Sequence, residues 1–181
     1  MIAILLADGF EEIEALTPAD MLKRAGLDVK LVGMNGKIAV GSHGIAVICD
    51  ITSDELDVAA VSTVIFPGGM PGSLNLDKAA FTDVIIESVV RRGGRLAAIC
   101  AAPLVLGHRG LLEGKRATCY PGFEKELIGA STVDAGVVTD GNITTARGMG
   151  VALAFSEELI SLICGKEKAD ELSRGIMEER S

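Results

Sequence analysis

Residues Arg95–Gly110 read RLAAICAAPLVLGHRG, and their reading decides the fold class. The run to Cys100 is short, apolar and strand-like. It passes at once into a helical stretch opened by Ala101, Ala102 and Pro103. A buried strand feeding straight into a helix is the building unit of a parallel α/β sheet. The same alternation recurs on both sides. Upstream, IAILLA (Ile2–Ala7) precedes a helical pattern from Glu11 to Ala25, with Thr17-Pro18 marking a kink or a second helix start. DVKLVG (Asp28–Gly33) is a strand, KIAV and IAVIC form a hairpin through GSHG, and TVIFPGG (Thr63–Gly69) is an apolar strand stopped by Pro67 and two glycines. KAAFTDVIIESVVRRGG is a helix closed by a glycine pair. Downstream, KRATCY and NITTAR read as strands and GVALAFSEELISLIC as a long helix. With no repeat, low-complexity run or linker, residues 1–181 are expected to form one doubly wound α/β domain, a mostly parallel sheet with helices on both faces.

Composition narrows the function classes. Of 181 residues, 49% are hydrophobic and 23% charged, a globular balance. Aromatics are 3%, without Trp and with a single Tyr, so base-stacking platforms are nearly absent. A net charge of −8 argues against nucleic acid or an anionic membrane as the main partner. The N-terminal run is too short for a signal peptide, and no stretch reaches the length of a membrane span. Cys49, Cys100, Cys119 and Cys164 lie far apart, so reduced thiols in the cytoplasm are expected rather than a zinc site or disulfides.

Ligands of open α/β sheets bind beyond the carboxyl ends of the strands. Three such ends carry chemistry here: ADGFEEIE, PGG and Cys100. Ala98, Ile99, Cys100, Ala101 and Ala102 have the small-x-nucleophile-x-small spacing of a nucleophile elbow. Small neighbours permit the sharp turn, and helix-start amides would lower the thiol pKa. The alternative is a buried structural cysteine, since a free thiol packs as a small hydrophobe. His108 lies eight residues on, ~12 Å at ~1.5 Å per helical residue, and His43 falls in the hairpin turn as a solvated or subunit-contact residue. No histidine therefore stands as an obvious partner. Glu11 and Glu14 share a helix face, and either they simply answer the helix dipole or one of them meets the sulfur with a raised pKa.

The segments LLADGFEEIEALTPADMLKRAG, VIFPGGMPGSLNL, AAICAAPLVL and TARGMGVALAF, in that order, resemble the ThiJ/PfpI superfamily. The nearest branch is the one holding the parkinsonism-associated deglycase and its bacterial relatives. The resemblance implies a flavodoxin-like homodimer with Cys100 as the reactive thiol and Glu14 as the carboxyl contacting it. It also implies an anion-stabilising hole from Gly68, Gly69 and the Ala101 amide, Arg147 near the site and Gly72 in its wall. Two positions depart from the family. Ala101 stands where the protease-like branch has a histidine, which disfavours peptidase activity. Tyr120 stands where the deglycase branch has one, and a tyrosine is a poor base at neutral pH.

Two functions follow from that site. One is a cofactor-free enzyme acting on small aldehydes such as methylglyoxal and glyoxal, or on early glycated adducts, to give 2-hydroxy acids. The other is a redox sensor whose Cys100 oxidises to sulfinic acid. Both rest on the same accessible thiol. Cys119 as a second redox thiol ranks below a plain strand residue. A dinucleotide site at RGMGVALAF is disfavoured, because Leu153 occupies the third glycine position and no later strand carries a ribose-binding acid.

Overall fold

The structure is a computed structural model describing residues 1–176. In chain order it runs β1 (Ile2–Leu6), α1 (Glu12–Arg24), β2 (Val29–Gly33), β3 (Ile38–Val40), β4 (Ala46–Ile48), β5 (Ile51–Thr52), β6 (Thr63–Phe66), α2 (Gly72–Lys78) and α3 (Ala80–Arg91). It continues through β7 (Arg95–Ile99), α4 (Pro103–Gly107), β8 (Arg116–Ala117), β9 (Ser131–Thr132), β10 (Val137–Asp140), β11 (Ile143–Ala146), α5 (Ala152–Cys164) and α6 (Lys166–Gly175).

The central sheet has the order β10-β11-β7-β6-β1-β2-β5. Every pairing in it is parallel except β10 with β11. Alternation along each strand divides the core in two. Ile2, Ile4 and Leu6 of β1, with Ala97 and Ile99 of β7, pack under α1, α5 and α6. Ala3 and Leu5, with Leu96 and Ala98, pack under α2, α3 and α4. Both faces are thus covered, as the long apolar strand runs predict. Phe10, Phe66 and Phe155 are fully buried, each worth ~1.5–3 kcal/mol over an exposed position.

Helix α1 runs through Pro18 without a break. The cost is the N–H that would have bonded the Glu14 carbonyl. KRATCY yields only the two-residue β8, paired with β9 outside the main sheet. The predicted β3–β4 hairpin forms, antiparallel and separate from the central sheet. Among the described residues no helix is long and apolar enough to cross a membrane.

Candidate active site

β1, β6 and β7 are adjacent and parallel, so their carboxyl ends meet at one edge. Sheet order also reverses there: β2 and β5 lie to one side of β1, β6 and β7 to the other. The three chemistry-bearing strand ends therefore converge on the topological switch point.

Cys100 follows β7 with φ 65°, the one non-glycine residue in the left-handed region among those described. That conformation costs a side-chain-bearing residue about 1–2 kcal/mol. Its neighbours hold it: the Cys100 N–H donates to Ala146 O at 2.9 Å, and its carbonyl accepts from the Tyr120 N–H at 2.8 Å. Ala101 and Ala102 are buried beside the turn, where larger side chains would not fit. The sulfur is partly exposed.

Glu14, in the first turn of α1, stands beside Cys100 across Gly68. It is buried, and its Oε2 accepts the Gly68 N–H at 3.0 Å. Burial pushes this carboxyl up to about 7, helped by the Glu11 charge and opposed by the bonds from Cys100 and Gly68. Burial, then the charge and hydrogen bond of Glu14, push the Cys100 thiol up to about 12, against the Gly69 and Ala101 amides that favour its anion. The expected lowering of the thiol pKa is thus not met, because burial, the largest cause, and the Glu14 charge both oppose it. Protonating Glu14 removes its repulsion and turns the carboxyl into a donor toward sulfur. The pair is built to pass one proton between oxygen and sulfur.

The glycines serve distinct ends. Gly68 separates the pair, and a Cβ on it would stand 2.5 Å from Cys100 Cβ and would also collide with Glu14 Oε2. Its amide is taken by Glu14, so of the three expected donors only Gly69 and Ala101 face the sulfur. Gly69 has φ +88°, and a Cβ on Gly72 would stand 2.5 Å from Phe10 N, so only glycine lets the PGG loop lie against the end of β1.

Beyond the sulfur lies a cavity of about 520 Å³, lined by Glu11, Glu14, Cys100, Tyr120, Arg147 and residues 148–151. Tyr120 is half exposed on its wall. The Arg147 guanidinium is paired with Asp134 through Nη1. His108 is excluded, because it is clasped by Asp77 at 2.8 Å and Glu126 at 2.9 Å. Cys119 packs into the core layer of α2–α4, whereas Cys100 packs toward the opposite layer. Burial pushes its thiol up to about 11.

One cavity residue was missed as a partner. His43, in the hairpin turn, lines the same space as Cys100. The Glu12 carboxylate holds it twice, accepting its backbone N–H at 2.9 Å and meeting Nδ1 at 2.9 Å. Glu11 stands 3.6 Å from the same nitrogen. Burial would raise the Glu12 carboxyl, but its hydrogen bonds to His43 and nearby backbone prevail and hold it at about 2. The ligand atoms of Glu11, Glu12 and His43 lie within 4.8 Å of one another. They are engaged with each other, and a carboxylate–histidine clasp accounts for the cluster without a metal.

A model of the DJ-1/PfpI family matches residues 1–162. Protein dj-1beta of Drosophila melanogaster is 37% identical, over 96% of this chain and 95% of its own length. A deglycase of Pyrococcus abyssi is 33% identical, over 90% and 98%. A solved DJ-1 superfamily protein of Salmonella typhimurium superposes with a TM-score of 0.94 at 32% identity, covering 99% of this chain and 98% of that one.

Proposed function

The chain belongs to the DJ-1/PfpI family, and on that premise we propose that residues 1–181 form one domain of it, a cysteine-dependent enzyme acting on 2-oxoaldehydes or early glycation adducts. One observation carries this reading: a strained, half-buried thiol beside a buried carboxyl, which burial pushes up to about 7. Such a carboxyl both takes and gives protons near neutral pH, which is what isomerising a carbon acid requires. Two relatives, from Pyrococcus abyssi and Pyrococcus horikoshii, carry the name deglycase.

Glu14 takes the thiol proton as the Cys100 sulfur adds to the aldehyde carbon, the carbonyl electron pair moves to oxygen, and Glu14 passes the proton to that oxygen to complete the hemithioacetal. The Gly69 and Ala101 amides lie beside the developing negative charge. Glu14 removes the proton from the former aldehyde carbon and returns one to the neighbouring carbon, while the hydroxyl proton passes to the neighbouring oxygen through the enediol, leaving a 2-hydroxyacyl thioester on Cys100. Water releases the 2-hydroxy acid and restores the thiol. None of these steps calls on a metal, glutathione or nucleotide. Ala101 after the cysteine speaks against peptidase work. The four free thiols suit a reducing cytoplasm, and the apolar surface flanking the cavity suits a homodimer.

Glutathione-independent conversion of methylglyoxal to lactate tests the reading. Wild type turns over, Cys100→Ser abolishes lactate, and Glu14→Gln lowers kcat by about 10²–10⁴-fold. Absence of wild-type turnover would overturn it. The second reading, oxidation sensing, is favoured by the same Glu14 and amide donors, which can hydrogen-bond the oxygens of a sulfinic acid. Selective sulfinic acid at Cys100 under mild peroxide, with no turnover, would put that reading first.

A further inference from the structure

We propose that His43 supplies the base for the hydrolytic half of the reaction, delivering water to the acyl group on Cys100. The inference deepens the reading above and rests on its acyl-thioester intermediate. Of the acids lining the cavity, Glu11 stands 3.6 Å from the His43 ring. Glu14 is committed to the sulfur and Gly68. Position 120 offers a phenol, a poor base near neutral pH. The Arg147 guanidinium cannot accept a proton.

His43 has the supports that a general base needs. The β3–β4 turn carries it into the cavity, and Ser42, the preceding residue, anchors that turn through its N–H to Phe10 O at 2.8 Å. Glu12 meets Nδ1 and stays ionised throughout the working range. A carboxylate on Nδ1 fixes the tautomer and leaves Nε2 as the free base, the same division of labour as in an Asp–His pair. The imidazole is exposed enough for water to reach it.

The step balances. Neutral Nε2 takes a proton from water as the water oxygen bonds to the thioester carbon. The C–S bond then breaks, its electron pair leaves on sulfur, and the imidazolium returns the proton to give the Cys100 thiol and a free carboxylic acid. Charged and titratable groups surround the ring. Glu11 and Glu12 face it from α1, while Glu14, Cys100, Tyr120 and Arg147 share the cavity. Asp8 is tied to the Val40 N–H of the same hairpin. The Glu12 hydrogen bond, with the Glu11 and Glu12 charges, raises the pKa of His43 above the ordinary histidine value. Deacylation should accordingly quicken as pH rises through that ionisation, then level off.

p-Nitrophenyl acetate tests the step without aldehyde chemistry, because it acylates a reactive thiol directly. A burst of nitrophenol then reports acylation, and the slow phase reports deacylation. His43→Gln is expected to slow the second phase about 100-fold, with acetyl-Cys100 accumulating in intact-mass spectra and the pH dependence lost. Added imidazole should partly restore His43→Ala, which a merely structural role for His43 would not allow. Equal slowing of both phases, or deacylation at the wild-type rate in His43→Gln, would overturn the assignment. Methylglyoxal turnover separates the two proposals. His43-dependent deacylation without lactate formation leaves this step standing and removes the aldehyde reading, and lactate formation with wild-type deacylation in His43→Gln does the reverse.

Discussion

Glu14 sets the pH behaviour of the site and part of the stability of the fold. Its folded value of about 7 lies above the ordinary 4.5, so the native state binds its proton more tightly than the unfolded chain does. The sign follows from linkage. Below pH 4.5 both states are protonated and the contribution is fully present, and it is lost as pH rises to about 7. At ~1.4 kcal/mol per pH unit the loss is about 3 kcal/mol. Glu14→Gln keeps an acceptor for the Gly68 N–H and cannot ionise. Thermal melts should therefore show it more stable than wild type at pH 8 and level with it at pH 4.5. A gap that does not change with pH would mean that burial of charge at Glu14 is not what limits stability.

At the scale of elements, the strand-to-helix turn after β7 stores strain that its neighbours hold in place. Glycine usually costs a site roughly 0.5–1 kcal/mol relative to alanine. At position 100 the φ of 65° reverses the order, because alanine retains the clash that glycine lacks. Cys100→Gly should thus match or exceed Cys100→Ala in denaturant midpoint, and a clear deficit would mean the turn is not strained. This turn was legible in the sequence because the whole device is local: small residues on both sides of a thiol at a strand end. The convergence of PGG and EEIE on it depended on sheet order, and adjacency of β1, β6 and β7 supplied it. Other elements left fainter signals. GSLNLDK of α2 is short and holds a glycine and an asparagine, so propensity did not mark it. VVTD of β10 is a strand by virtue of its partner β11. His43 is exposed, as its place in GSHG predicts, but nothing in that turn reveals that the hairpin folds back over α1, where Glu12 takes hold of it.

At the scale of the whole molecule, an apolar surface among the described residues borders the active site. Ile13 and Leu16 of α1, Ile45 at the hairpin and Leu153 of α5 are exposed together around a shallow groove. These residues interleave with the active-site wall: Ile13 follows Glu12, Ile45 lies two residues past His43, and Leu153 lies two past Val151. A second copy seated on this surface would bury it and cover the cavity rim at once, so assembly and activity should fail together. In a two-fold interface each substitution acts twice. Removing two buried leucines costs ~3–6 kcal/mol at ~1.5–3 kcal/mol each, and a buried unpaired charge adds to that. Leu16→Arg should therefore weaken association by at least about 100-fold. Leu16 itself is an exposed residue in the single chain, so the isolated fold should survive. Light scattering should report a dimer mass for wild type and a monomer mass for Leu16→Arg, whose KM for methylglyoxal rises while Cys100 becomes quicker to alkylate. A Leu16→Arg variant that keeps the dimer mass would place the interface on another face, and a wild type that runs as a monomer would leave the cavity complete within one chain.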